Sequence, residues 1–292
     1  MNEQVCKTDA NGCGGVVGVD AGGYPVEATG NAVLDILEHR SSTRAFARDD
    51  DEGRPIAVTD EQRAAILHAV SRAPSAGAMM MYSIVSIREQ ATLDRLADLC
   101  DHQPMIAKAP WALIFVVDYA KWIDLFEHVG CFEPEFVEHT GKQPRRAPGL
   151  GDFAIAAQDA VIAAQNAVVA AEALGLGSCY IGDIVENAEE VAELLGLPPY
   201  TMPLSMLIIG TPRKERPAIA HPVVNLVHEE RYCRADAATM DAQVAEMDAM
   251  FRPHAREVGE RVVDIYTRKH TSPFMAEMSR SMEWWFKNWL GK

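Results

Sequence analysis

The sequence predicts an α+β fold in which a β-sheet packs against one long buried helix. Four candidate strands alternate with helical segments, but not in the regular βαβ steps of a doubly wound sheet. Residues 152–175 form an alanine-rich stretch with apolar residues on almost every helical face, which predicts a helix buried all round. The candidate strands are SIVSI (83–87), ALIFVV (112–117), SCYIG (178–182) and LSMLIIG (204–210).

Capping signals define the first helices of the chain. Asn31 is suited to cap a helix over residues 32–40. Thr59 and Gln62 form the capping-box pattern for a second helix that ends near Arg72.

The remaining elements follow from periodicity and from proline and glycine positions. A polar helix is predicted over 89–100 and a short helix over 188–196, and residues 127–151 are predicted to be a loop. Asp152 suits the N-cap of the long helix, and Gly175 suits its C′ stop.

The chain is predicted to divide into three parts. Residues 1–29 lack periodicity and are expected to form a flexible leader, residues 30–230 the main domain, and residues 231–292 a helical extension. The extension carries an apolar helical stripe that is expected to pack on a dimer, on its own or on the partner subunit. Its members are Met275, Met278, Met282, Trp285 and Trp289.

Composition excludes several classes of function. The 292 residues carry a formal net charge of −15, which argues against a nucleic-acid partner. The longest low-charge stretch, residues 153–171, is interrupted by polar residues, so no membrane helix is expected. The N-terminus lacks the pattern of a signal peptide, and the six scattered cysteines contain no CxxC pair, so a cytoplasmic protein with reduced thiols is expected.

Standard catalytic and metal motifs are not found in the sequence. It contains no GxxxxGK[ST], HExxH or GxSxG motif, and GLGSCY (175–180) departs from GxGxxG because Tyr180 takes the third glycine position. Two groups contain residue types that can ligate a metal: Cys6 with Cys13, and the His, Cys and Glu residues of 128–139. Neither group has standard zinc spacing, so no metal site is predicted.

Four separated polar stretches remain: RSSTR (40–44), RAPSAGAM (72–79), GSCYIGD (177–183) and GTPRKER (210–216). Two of them are cationic in an acidic chain, which a compact dianion such as a phosphate monoester would explain. RSSTR follows a helix C-terminus, whose dipole disfavours anions, so its side chains would have to hold the anion. The alternative is a polar turn with surface arginines.

Together these stretches resemble the nitroreductase family of FMN-dependent flavoproteins. LEHRSSTRAF resembles the family's R-R-S-x-R-x-F, and APSAGAMMMYSIVSI resembles its A-P-S-x-x-N-x-Q-P-W turn and strand. AQNAVVAAEALGLGSCYIG is similar to the family's central helix and flavin-edge loop, and MPLSMLIIGTPRKERP to its P-x-x-x-x-x-x-G-Y-P segment. The matches cover about residues 32–217 in the family's order.

The resemblance implies a layered fold with a mixed or antiparallel central sheet. It also implies an interlocked homodimer with two FMN sites at the subunit interface. The RSSTR stretch would hold the phosphate and the flavin ring, and the basic residues of GTPRKER would reach the phosphate. The APSAGA turn would pack on the ring, usually in the other subunit's site. The backbone after SCY would face flavin N5 and O4. The matched cofactor-binding residues are Arg40, Ser41, Ser42, Arg44, Pro74, Ser75, Ala76, Gly77, Ala78, Ile181, Gly182, Arg213 and Lys214. Arg48, just beyond the first motif, is expected to contribute little.

One position departs from the family pattern. Ala78 replaces the family's Asn, so an amide that would bond the flavin pyrimidine is missing. Met79, Met80 and Met81 either form an adaptable apolar wall beside the flavin or simply pack in the core.

The implied function is NAD(P)H-driven ping-pong reduction of a small organic acceptor of the nitroaromatic, quinone or enone type. The flavin would carry the chemistry, so no catalytic side chain is expected, and the backbone of Ile181 and Gly182 would stabilise the reduced ring. The alternatives are reductive dehalogenation or flavin fragmentation on the same fold, or flavin binding and redox sensing without turnover.

Overall fold

The computed structural model describes residues 30–49, 56–142, 145–214, 225–254 and 256–292. These described residues group into two compact units, one within the range 32–216 together with 276–292 and the other within the ranges 1–31 and 217–275. The predicted leader, residues 1–29, lies outside the described residues. The predicted domain boundaries stay predictions, although the units group residues 276–292 with the sheet.

The elements of the sheet-containing unit follow one another as a run of helices and strands. They are α1 (Ala32–His39), α2 (Asp60–Ser71), a 3₁₀ turn (Ala76–Ala78), β1 (Tyr82–Ile87), α3 (Gln90–Leu99), α4 (Pro104–Ala107), β2 (Trp111–Asp118), α5 (Ala120–His128), α6 (Pro134–Thr140), α7 (Leu150–Ala173), β3 (Gly177–Ile181), a second 3₁₀ turn (Gly182–Val185), α8 (Ala188–Leu195) and β4 (Thr201–Gly210). The second unit contains α9 (Ala237–Phe251), α10 (Glu260–Ile265) and a π-helical turn (Tyr266–His270). The final helix, α11 (Pro273–Trp289), begins in the second unit and ends in the first.

The sheet has four strands in the order β1-β2-β4-β3, and every neighbouring pair is antiparallel. All eight residues of β2 are buried, which fits its central position and its continuous apolar sequence. A single parallel bridge joins Ser42 to Ser178 at the edge of β3. The predicted α+β fold with its long helix is therefore confirmed.

The long helix α7 is buried on one face only. Alanines line the buried face, and Ala156, Ala160 and Ala163 are completely buried. On the other face, Val161 is 50% exposed and Ile162 is 40% exposed. One chain therefore leaves one side of the helix open, because its packing layers cover only the other side, and burial all round stays a prediction that needs a second subunit.

The predicted start of α7 is also corrected. Gly149 is the N-cap, and Asp152 lies in the first turn, where its Oδ2 accepts a hydrogen bond from Gly149 N at 2.8 Å. Gly175, with φ +73°, occupies the C′ position as predicted.

α7 is, among the described residues, the one helix whose length and composition would allow it to cross a membrane. This is weak evidence for a membrane span, because the core helix of a soluble protein meets the same criterion. Two of its polar side chains bond inside the protein: Asp159 accepts from Ala76 N, and Asn166 donates to Ala69 O.

The structure confirms the predicted capping box of α2 and contradicts part of the predicted loop over 127–151. The capping box of α2 is confirmed, because Gln62 N donates to Thr59 Oγ1 at 3.2 Å and Thr59 N donates to Gln62 Oε1 at 3.0 Å. The predicted loop over 127–151 is wrong in part, because it contains α6. Pro134 occupies the first turn of this helix, where its missing N–H has no intrahelical partner to lose.

The tail helix packs on its own chain. Trp285 and Trp289 are completely buried. Trp285 Nε1 donates to Val185 O at 2.9 Å, and Trp289 Nε1 donates to Gly149 O at 3.1 Å. One chain therefore already buries these two tryptophans, and the docking of the stripe on a dimer stays a prediction.

Among the described cysteines, the expectation of reduced thiols is wrong at Cys233. Cys100, Cys131 and Cys179 form no disulfide, whereas Cys233 is disulfide-bonded. The spacing of cysteines in a sequence does not report the Cα–Cα distance on which pairing depends.

Candidate functional site

The RSSTR loop lies across the ends of β3 and β4. Thr43 N donates to Ser178 O at 2.8 Å, which fixes the loop to the start of β3. Arg213 N donates to Ala45 O at 3.0 Å, which fixes the segment after β4 to the same loop. The two cationic stretches of the sequence are therefore neighbours in the fold.

Two glycines allow this close approach. Gly177 and Gly210 are direct partners in the register of β3 and β4. A Cβ atom on Gly177 would lie 2.7 Å from Thr43 Cβ, and one on Gly210 would lie 2.8 Å from Phe46 Cδ1. Both distances are too short for real carbon contacts, so the loop can cross the strands only where side chains are absent.

A cationic pocket of ≈ 820 Å³ opens beside this crossing. Its lining includes Arg44, Arg48, Lys108 and Arg213, together with the carboxylate of Asp49. Sequence reasoning missed Lys108 and expected little from Arg48. No local pattern in the sequence identifies Lys108, because it reaches the pocket only through the register that pairs the first residue of β2 next to the end of β4.

The other RSSTR arginine lies in different surroundings. Arg40 is half-buried near Glu172 of α7 and Tyr180 of β3. Burial raises the pKa of the Glu172 carboxyl and raises the pKa of Tyr180 to about 12, and the charge of Arg40 opposes both shifts. Neither Arg40 nor Lys214 lines the cationic pocket. Of the basic residues predicted to bind the phosphate, only Arg44 and Arg213 therefore lie together in this pocket.

The turn before β1 is mostly exposed. Pro74, Ala76, Gly77 and Ala78 are exposed, and Ser75 is half-buried. Asp159 Oδ1 of α7 accepts a hydrogen bond from Ala76 N at 2.9 Å. Sequence reasoning missed Asp159, which could have been noticed as the acidic residue near the middle of the alanine-rich helix, away from both ends.

The three methionines after the turn have different environments. Met81 is 3% exposed and belongs to the core, whereas Met80 is 38% exposed. Met79 is half-buried, and its carbonyl accepts a hydrogen bond from Trp122 Nε1 at 2.9 Å. Core packing therefore explains Met81. For Met80, a place in an apolar wall beside the flavin stays a prediction.

The turn and the RSSTR loop lie at opposite ends of the sheet. Tyr82, just after the turn, pairs with Val117, which pairs with Met202 near the start of β4. Along α7, Asp159 beside the turn and Glu172 beside Arg40 are separated by about 20 Å, at about 1.5 Å per residue. The turn and the loop of one chain therefore cannot touch the same small group.

The end of β3 presents bare backbone. The side chain of Ile181 is 1% exposed, so it points into the core. Gly182 is exposed, and nothing lies within 4 Å of where its Cβ would be. Asp183 follows, and its Oδ2 accepts a hydrogen bond from Gln103 Nε2 at 2.7 Å. A flat group could therefore approach the backbone at Gly182 closely.

In the described parts of the chain, no group of three or more His, Cys, Asp or Glu side chains is placed to hold a metal ion. The His, Cys and Glu residues of 128–139 lie on α5, α6 and the segment between them.

Comparison with known proteins places these features in a family context. The model of the Nitroreductase family matches residues 37–211. The chain is 32% identical over 216 residues to an FMN reductase [NAD(P)H] of Bacillus subtilis, covering 73% of this chain and 79% of the relative. It is 33% identical over 195 residues to an oxygen-insensitive NADPH nitroreductase of Salmonella typhimurium, covering 65% and 74%.

Solved structures agree with this match. The NADPH:FMN oxidoreductase of Vibrio harveyi complexed with NAD⁺ superposes with a TM-score of 0.66 at 25% identity, covering 86% of this chain and 97% of the other. Nitroreductase A from Vibrio parahaemolyticus superposes with a TM-score of 0.71 at 24% identity, covering 90% and 99%, and supports the fold alone.

The glycine crossing can be tested by one substitution. Gly177→Ala should lower the free energy of unfolding by about 1–3 kcal/mol, because the new methyl group displaces Thr43 and the RSSTR loop. Urea unfolding followed by circular dichroism measures this change. Gly151→Ala is the control: nothing lies within 4 Å of its Cβ position, and it lies in the first turn of α7. This control should not destabilise the protein, and equal stability of Gly177→Ala and wild type would refute the close approach.

Proposed function

This chain belongs to the nitroreductase family, and from that premise we propose that it is an FMN-dependent oxidoreductase driven by NAD(P)H. Relatives named as an FMN reductase [NAD(P)H] and an NADPH nitroreductase support both the cofactor and the electron donor. The proposed acceptor is a small organic molecule of the nitroaromatic, quinone or enone type. The proposed location is the cytoplasm.

The cationic pocket is the observation that carries the proposal. Arg44, Lys108 and Arg213 bring positive charge together beside the RSSTR loop of an acidic chain. A phosphate monoester is a compact dianion, and arginine bonds two of its oxygens at once. The residues present therefore fit the phosphate end of FMN.

The backbone after β3 fits the ring end. When bound, FMN supplies the hydride transfer, and the protein supplies binding, orientation and electrostatics. At Gly182 the lack of a side chain lets a planar ring approach the main chain, where an N–H would stabilise the negative charge of the reduced ring. The proposed role of Ile181 is to hold this segment in place through its buried side chain.

The exposed face of α7 supports a homodimer. Ile155, Val161 and Ile162 present apolar side chains on a helix whose opposite face is already buried. Burying such a face against a second copy removes its apolar area from water. If two α7 helices pack antiparallel about a two-fold axis, the turn of one subunit approaches the RSSTR loop of the other. The separation of these parts within one chain thus supports an FMN site shared between subunits.

Electron transfer is tested by mixing the FMN-loaded protein with NADPH or NADH without oxygen. The flavin absorption band should bleach rapidly with at least one of the two nucleotides and return when a nitroaromatic or quinone is added. Bleaching with neither nucleotide would instead indicate a flavin-binding protein without turnover. The wild-type protein loaded with riboflavin serves as a comparison, because riboflavin has no phosphate to contact the pocket.

The phosphate contacts are tested by Arg44→Ala and Arg213→Ala. Each charge-assisted contact contributes about 1.5–3 kcal/mol, so each variant should bind FMN roughly 10- to 100-fold more weakly. Riboflavin affinity should change little, because riboflavin lacks the phosphate. Fluorescence titration of the apoprotein at fixed salt measures both affinities.

The control for this titration must lie outside the pocket. Arg48 lines the pocket and is unsuitable, whereas Arg95 is an arginine of α3 that pairs with Glu190. Arg95→Ala should leave FMN affinity unchanged. Wild-type FMN affinity in both pocket variants would remove the pocket from the FMN site.

The dimer is tested on the exposed face of α7. Val161→Glu should convert the protein to a monomer, because a charge would replace a buried apolar contact. Leu125→Glu on α5 is the matched control, since Leu125 is 49% exposed and Val161 is 50% exposed. Sedimentation velocity distinguishes the two states, and a wild type that sediments as a monomer would contradict the proposed assembly.

A further inference from the structure

The backbone of the turn before β1 is strained. Gly77 has φ +57°, Ala78 has φ +56° and Met80 has φ +48°, all in the left-handed region. Glycine adopts this region freely, but Ala78 and Met80 carry side chains that disfavour it. Such strain persists only where the surrounding structure holds the backbone in place, and it often lies at functional sites.

The side chain of Asp159 joins the two ends of the turn. Its Oδ1 accepts from Ala76 N at 2.9 Å, and its Oδ2 accepts from Met81 N at 3.4 Å. One carboxylate thereby fixes the first and last residues of the strained segment 76–81. Any shift of this carboxylate would move both ends together.

Two further side chains hold the middle of the turn. Ser75 Oγ accepts a hydrogen bond from Met80 N at 3.2 Å. Trp122 Nε1 of α5 donates to Met79 O at 2.9 Å. The strained backbone is therefore restrained by the side chains of α5, α7 and the turn itself.

The position of Asp159 is energetically unfavourable for a carboxylate because it is buried. It is 3% exposed and lies on the alanine face of α7, close to the completely buried Ala156, Ala160 and Ala163. A buried charge is strongly destabilising unless hydrogen bonds replace its water. The two backbone N–H groups supply such bonds, so the carboxylate and the turn stabilise each other.

The outer surface of this turn carries no side-chain amide. Ala76, Gly77 and Ala78 are exposed and present only backbone and methyl groups. A contact made by backbone depends entirely on how the backbone is placed, because no rotatable side chain can compensate for an error.

From these contacts we propose that Asp159 is a positioning residue of the flavin site. It fixes the strained backbone of residues 76–81 so that Ala76, Gly77 and Ala78 form a rigid platform for the isoalloxazine ring. The proposal rests on the proposed function, because it needs a flavin as the ligand. It assigns the contact with the ring to the main chain of the turn, held from behind by α7.

The test compares two ligands that share the ring and differ in the phosphate. Asp159→Asn keeps the shape of the side chain but replaces one acceptor oxygen with a donor that faces a backbone N–H. This variant should lower the affinity for FMN and the affinity for riboflavin by the same factor, roughly tenfold. It should also change the visible circular dichroism of the bound flavin. A loss confined to the phosphate site would instead affect FMN alone.

Asn166→Ala is the matched control. Asn166 is another polar residue of α7, and its Nδ2 donates to Ala69 O of α2 at 3.0 Å, away from the turn. Its substitution removes a structural hydrogen bond of the same helix but should leave both flavin affinities and the flavin spectrum unchanged. Equal effects of the two variants would overturn the positioning role in favour of general destabilisation.

A second variant keeps the test decisive if Asp159→Asn does not fold. Trp122→Phe removes the donor to Met79 O while keeping an aromatic ring in place, and it should weaken both flavins in the same direction. Wild-type affinities and spectrum in the folded variants would overturn the inference while leaving the proposed function intact. A wild-type protein that binds neither flavin would overturn the proposed function and the inference with it.

Discussion

The candidate site depends on the close approach of the RSSTR loop to a pair of facing glycines. Gly177 and Gly210 leave a gap at the ends of β3 and β4, and Thr43 and Phe46 fill it. Because the loop lies in this gap, Arg44 comes next to Arg213 although the two are far apart in the sequence. A methyl group on either strand would separate the two arginines, so the charge of the pocket follows from the absence of two side chains.

A single helix links the core, the turn and the proposed subunit interface. The alanines of α7 let it pack closely in the core, and Asp159 extends from the same face to the turn. Its opposite face exposes Val161 and Ile162. An alanine-rich sequence suits this double use, because small side chains permit close packing on one side while a few larger ones mark the other.

The sequence predicted features that depend on local chemistry. The four strands, the capping box at Thr59 and the C′ glycine at Gly175 were predicted because periodicity and capping act within a few residues. The exposed face of α7, the split between Arg40 and Arg44, and the contact from Asp159 to Ala76 depend on tertiary register, which no local pattern contains. Lys108 was missed for the same reason, because it comes close to Arg213 only through the pairing of β2 with β4.

The distance of about 20 Å along α7 between the turn and the RSSTR loop has a thermodynamic consequence. In a dimer whose flavin sites each take their parts from both subunits, cofactor binding and subunit association are linked equilibria. Free FMN then raises the apparent association constant of the subunits, and dilution of the protein releases the cofactor. Flavin occupancy would therefore vary with the concentration of the protein itself, even at a constant supply of FMN.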